Sequence, residues 1–142
     1  LIILKMRKTG IIMAAALIMD LLICNIAVKN LAARTRPYDV NTSVQPLVAK
    51  LHDYSFPSGH TAASFASVTA LYLAGEKKLW KPALVLACLI AVSRLYLYVH
   101  YPTDVLGGMV FGILAGYVGY RLVKFLEAKL SGRKNAGKQI RR

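Results

Sequence analysis

Residues 11–28 read IIMAAALIMDLLICNIAV: eighteen positions with a single charge, Asp20, and a single amide, Asn25. Nothing in this run alternates with period two, so it reads as a helix and not as a strand. It also lacks a polar face, which a helix on the surface of a soluble protein needs. Three more runs share this character: residues 61–75, rich in Ala and Ser; residues 82–99, interrupted by Arg94; and residues 105–120, rich in Gly. Each is a little short or polar for a lone span of about 20 apolar residues. Ala, Gly and Ser, however, are the residues that let helices pack closely in a bilayer. The expected fold class is therefore all-α, an integral membrane helical bundle with about four transmembrane helices. A soluble bundle is disfavoured because polar faces are nearly absent.

Composition supports this reading. The chain has 142 residues, is 56% hydrophobic and has a mean hydropathy of +0.48, values that exclude a disordered chain. A net charge of +13 alone would permit a nucleic-acid-binding domain, but such domains are not this apolar. The length allows one domain: residues 1–130 as the membrane domain, and residues 131–142 as a basic, flexible cytoplasmic tail after a short helix ending near Leu130. Cys24 and Cys88 sit singly in apolar runs and form neither a disulfide framework nor a zinc motif. No internal repeat and no cleavable signal peptide are visible. The apolar start at Leu1 is expected to follow a missing N-terminal portion.

Charge sets the orientation. If residues 5–8 are cytoplasmic, four spans return the tail to the same side, which then carries fourteen of the 19 Lys and Arg residues. The positive-inside rule favours this arrangement. The five remaining cations, Lys29, Arg34, Arg36, Lys50 and Arg94, lie outside and call for an anion to explain them.

Three of the five belong to fully specified motifs. Lys29 is followed after six residues by Arg36-Pro37; next comes Pro57-Ser58-Gly59-His60; then Ser93-Arg94, five residues, His100, three residues and Asp104. These eleven positions resemble the motifs of the type 2 phosphatidic acid phosphatase (PAP2) family of lipid phosphate phosphatases, which shares its site with vanadium haloperoxidases. All three motifs are present, in order and at the right internal spacing, from Lys29 to Asp104.

The residues carry the same chemistry on their own. All three motifs fall on one predicted side of the membrane. Phosphoryl transfer spreads charge over three equatorial oxygens, and three cations suit it. Arg36 and Arg94 can each grip two oxygens, while Lys29 supplies a point charge. Ser58 stands where a helix N-cap belongs, and a helix start is a phosphate cradle that Gly59 lets the ligand approach. Alone, Pro57-Ser58-Gly59 is more often a plain cap. A neutral imidazole can serve as a metal-free nucleophile, and an acid four residues on can accept its other N–H. Pro102 places His100 before the fourth helix and Asp104 in its first turn. The resemblance assigns His100 as nucleophile, Asp104 as its orienter and His60 as the acid that protonates the leaving oxygen. The phosphate-binding set is Lys29, Arg36, Ser58, Gly59 and Arg94.

Other residues receive weaker readings. Asp20 lies mid-span, a functional position by default, but matches no motif; a polar partner on a neighbouring helix or a place near the membrane interface is expected. Arg34 can add positive field and stays outside the site. Tyr96, Tyr98 and Tyr101 fit an interfacial aromatic belt. His52 reads as structural. Carboxylates are too few and scattered for a two-metal site, and the resemblance implies catalysis with no metal and no cofactor.

The resemblance further implies hydrolysis of a lipid phosphomonoester or diphosphate through a phosphohistidine. Undecaprenyl diphosphate, phosphatidic acid and phosphatidylglycerol phosphate are the candidate substrates. It implies membrane lipids as partners, no nucleic acid, and a bacterial plasma membrane with the site on its extracytoplasmic side. Family members in membranes usually have six spans, so two would precede residue 5. The alternatives are a vanadium-dependent haloperoxidase-like oxidoreductase and a non-catalytic lipid-phosphate-binding membrane protein. The first is disfavoured by the membrane-like chain, the second by an intact His60, His100 and Asp104.

Overall fold

The computed structural model describes residues 2–139, and these form helices and loops. A long N-terminal helix begins as α1, Ile2–Asp20, widens into a π-helical segment, Leu21–Val28, and closes with α2, Lys29–Ala32. Ala33 ends it in the left-handed region at φ 44°. A four-residue helix, α3 (Pro37–Val40), opens on a proline, and an irregular segment leads to α4, Gly59–Leu73. Gly75, at φ 78°, turns the chain out of α4 toward α5, Trp80–Tyr96. That helix starts two residues ahead of Pro82, which a first turn tolerates. The last helix, α6, is Pro102–Gln139. It runs past the end near Leu130 expected from the sequence, and residues 140–142 of the expected tail lie outside the described residues.

α4 is the centre of the bundle and touches α1, α5 and α6. Its small residues make this possible. Ala66 and Ala70 join Ile12 and Ala16 of α1 and Ala115 and Val123 of α6 in one buried cluster. Phe65 and Val68 join Ala87 and Ala91 of α5 and Val105 of α6 in a second. The α4–α6 contact is a close backbone approach: Gly108, Gly112 and Gly116, four residues apart, all face α4. A Cβ on Gly112 would lie 2.3 Å from the Ala62 carbonyl oxygen. This is the small-residue packing that bilayer helices use.

The outer surface is apolar. Ile18, Leu22, Leu86, Leu89, Val110 and Ile113 are all exposed, as a protein solvated by lipid requires. Two helical stretches, within Met6–Val40 and Pro102–Gly132, are long and apolar enough to cross a bilayer. α4 and α5, at 15 and 17 residues, are shorter.

Candidate active site

One end of the bundle gathers the polar residues. A cavity of about 310 Å³ opens there between the N-terminal helix, the start of α4 and the α5–α6 connection. Lys29, Arg36, His60, His100 and Gly59 line it, together with Asp20, Asn25, Leu51, Asp53 and Ala63. Residues 71 positions apart in the chain thus share one chamber.

Local structure explains how each side chain arrives. Lys29 sits on the final turn of the N-terminal helix and is 7% exposed. Arg36 follows the left-handed residue that ends this helix, and it is 2% exposed. Its guanidinium is fully engaged. Nε donates to the Asp53 carbonyl at 2.9 Å, Nη1 to the Val99 carbonyl at 2.9 Å, and Nη2 to the Asp53 carboxylate. Nη1 also lies 3.4 Å from His100 Nε2. The arginine therefore ties three segments together: its own loop, the residues before α4 and the turn before α6.

His100 is buried and leaves α5 through a turn in which Tyr98 adopts φ 57°. Its Nδ1 faces Asp104 Oδ2 at 3.6 Å and Ser55 Oγ at 3.5 Å. The first distance is too long for a full hydrogen bond but allows charge attraction, and such contacts often tighten only when substrate binds. Asp104 is fully buried in the first turn of α6. It is fixed from four directions: Arg34 Nη1 donates to Oδ1 at 2.8 Å, the Tyr101 N–H donates to Oδ2 at 2.8 Å, Ser55 Oγ donates to Oδ2, and its carbonyl accepts the Ser58 N–H at 3.0 Å. Pro102 opens α6, which sets His100 ahead of that helix and Asp104 within it.

Asp104 reaches the chamber only through His100, and two further residues of the sequence-derived set also stand apart from it. Ser58 is the residue before α4, but it is completely buried; its N–H is spent on Asp104 and its Oγ accepts from Thr61 Oγ1 at 3.0 Å. Arg94 lies at the end of α5, where Nε donates to Ser93 Oγ at 3.2 Å. Gly59 lines the cavity, with Asn25 Oδ1 2.9 Å from where its Cβ would be, so a side chain there would strike Asn25.

The structure also adds residues that motif reading did not select. Asp53 is the principal one. Lys29 Nζ and Arg36 Nη2 both donate to its carboxylate. Burial by itself would raise the Asp53 carboxyl; the hydrogen bonds and charges of Lys29 and Arg36 outweigh it and hold the group below the usual carboxylate range. The signal available in the sequence was a carboxylate in a cation-rich external loop, five residues before Ser58. Arg34, left outside the site by the sequence, is bound to Asp104 and stacks 4.1 Å over Tyr101. Among the described residues, no group of three or more His, Cys, Asp and Glu side chains is arranged to hold a metal ion.

The arrangement can hold an oxyanion. Two nearly buried cations converge on one carboxylate, and two imidazoles line the same walls.

Comparison with known proteins agrees. A family model described as the PAP2 superfamily matches residues 9–127. The chain is 29% identical over 118 residues to an undecaprenyl-diphosphatase of Sulfolobus acidocaldarius, covering 83% of this chain and 57% of that protein. It is 36% identical over 136 residues to phosphatidylglycerophosphatase B of Bacillus subtilis, covering 87% and 62%. The crystal structure of a transmembrane PAP2-type phosphatidylglycerolphosphate phosphatase from Bacillus subtilis superposes with a TM-score of 0.61 at 34% identity, covering 84% of this chain and 59% of that one. The chain thus spans roughly three-fifths of the length of these relatives. Its match over most of its own length, with the apolar exterior and the helices able to cross a bilayer, identifies a membrane protein that belongs to the PAP2 superfamily.

Proposed function

We propose that this protein hydrolyses the phosphate or diphosphate end of a membrane lipid through a phosphohistidine on His100. One observation carries the reading: Lys29, Arg36, His60 and His100 line a single cavity of about 310 Å³. The names of the relatives, an undecaprenyl-diphosphatase and a phosphatidylglycerophosphatase, support a lipid phosphate as the substrate class.

The substrate phosphate takes the place that the Asp53 carboxylate holds between Lys29 and Arg36. A carboxylate and a phosphate present the same pair of oxygens to these donors. Neutral His100 attacks phosphorus through Nε2, the nitrogen beside Arg36 Nη1. Its Nδ1–H points toward Asp104 and Ser55, which fixes the tautomer and steadies the positive charge that develops. His60, which lines the same cavity, gives its proton to the departing oxygen. Arg94 extends the positive field without touching the ligand. Water then attacks the phosphohistidine and releases phosphate.

Four helices, the N-terminal helix, α4, α5 and α6, would cross the bilayer, with the cavity at the extracytoplasmic face of a bacterial plasma membrane. The excess of Lys and Arg at the opposite end supports this orientation. The test is release of inorganic phosphate from undecaprenyl diphosphate, phosphatidic acid and phosphatidylglycerol phosphate in detergent micelles. Activity lost in His100→Ala, in protein that still reaches the membrane, supports the reading; activity retained in that variant contradicts it.

A further inference from the structure

The cavity has a floor that the reaction above leaves unexplained. Asp20, the last residue of α1, lines it and is 3% exposed. One carboxyl oxygen, Oδ1, is buried and has no hydrogen-bond partner among the described residues. A buried acceptor left in this condition is costly, and the group persists where something in the cavity answers it.

The helix is deformed at this place. Asp20 and Lys29 are nine residues apart. In a helix of 3.6 residues per turn, nine residues make two and a half turns and set the pair on opposite faces. The π-helical segment Leu21–Val28 lies between them. Its i→i+5 hydrogen bonds take more residues per turn, so the same nine residues make close to two turns. Asp20, Asn25 and Lys29 then share one face, and all three line the cavity. The wide turn thereby carries a carboxyl to the chamber that a regular helix would aim away from it.

An anionic carboxylate is a poor neighbour for a phosphate dianion, whereas its free oxygen is a good acceptor for an O–H. The second half of the reaction needs a water molecule in this same chamber, whose volume exceeds the share of one water, about 30 Å³, several times over. We infer that Asp20 is a positioning residue for that water. The inference rests on the phosphohistidine reading. Once the lipid has left, a water on the cavity floor donates one O–H to Asp20 Oδ1. Its oxygen attacks phosphorus opposite His100 Nε2. The O–P bond forms, the P–N bond breaks, and the bonding pair returns to the imidazole. The second proton goes to His60, which is neutral because it protonated the leaving oxygen. Asp20 holds the water and takes no proton.

The test separates the two half-reactions. In Asp20→Ala, the second step should slow by about 10- to 100-fold, the scale of misplacing a reacting atom by an ångström. kcat then falls and KM falls with it, while kcat/KM, which reports the first step, stays near wild type. Phosphohistidine, trapped by alkaline quench during turnover of a radiolabelled lipid phosphate, accumulates above the wild-type level. Asp20→Asn keeps an acceptor oxygen and recovers part of kcat. Inhibition by vanadate serves as the folding control in both. If kcat and kcat/KM fall together without accumulation, or if both stay unchanged, Asp20 does not position the water. Should Asp20→Ala fail the control, the same comparison of kcat with kcat/KM in Asp20→Asn decides. The underlying reading fails differently: wild-type enzyme that turns over without forming phosphohistidine, or His100→Ala that still forms it, would overturn the phosphohistidine itself.

Discussion

Replacing Asp53 by Asn should tighten the binding of phosphate-like anions. The carboxylate accepts one charged hydrogen bond from Lys29 and another from Arg36. The backbone carbonyl of the same residue accepts Arg36 Nε at 2.9 Å, and this contact survives the substitution. The side chain of Asp53 is 51% exposed, so solvent screens both pairs and each is worth no more than about 1 kcal/mol. An incoming anion must give back that amount to occupy the same two donors. Removing the charge therefore favours the anion by about 1–2 kcal/mol, or about 5- to 30-fold in affinity. The assay is the inhibition constant of orthovanadate, with phosphate product inhibition as a second measure, at fixed ionic strength. A fall of that size supports displacement of Asp53 by the ligand. An unchanged or higher constant would refute it, because the carboxylate would then stay in place and align the cations around the bound anion.

The same carboxylate gives a pH signature. Its folded pKa is lowered, so its contribution to stability is present above the unfolded value near 3.9 and is lost as pH falls through the folded value. The difference in melting temperature between wild type and Asp53→Asn should be constant above about pH 5 and disappear in stronger acid; a difference growing toward low pH would contradict the ion pairs. Arg34→Gln removes the 2.8 Å contact to Asp104 and should lower kcat by about tenfold with little change in KM, as steady-state kinetics would show; an equal rise in KM would place Arg34 on the substrate instead. Gly112→Ala pushes a methyl group against the Ala62 carbonyl and should destabilise the α4–α6 packing by about 1–3 kcal/mol, read as a lower midpoint in thermal unfolding; an unchanged midpoint would mean the helices do not meet there.

The helices and the polar end of the bundle were legible because each rests on a local pattern. Long apolar runs without period-two alternation favour helices over strands, and Pro102 opens the last of them where expected. Lys29, Arg36, His60 and His100 could be grouped because their spacing within three motifs is specific. What escaped depends on geometry that no period records. Asp20 lies opposite Lys29 in any regular helix, and only the π-helical segment rotates it to the cavity. Asp53 sits in an irregular loop, where sequence position says nothing of which cations it meets. Ser58 was read as a ligand-facing cap, yet its N–H is consumed by the Asp104 carbonyl, a contact set by how α6 packs against α4. Arg34 is two residues from Arg36 but binds Asp104, whereas Arg36 binds Asp53, and sequence spacing does not tell the two apart.

The central claim is that His100 carries the phosphoryl group between lipid and water. Its most direct measurement is mass-spectrometric mapping of the phosphoenzyme, trapped under alkaline conditions during turnover of a labelled lipid phosphate. Phosphate is expected on His100 and is expected to be absent from His100→Ala. Phosphate on another residue, or none during continued turnover, would contradict it.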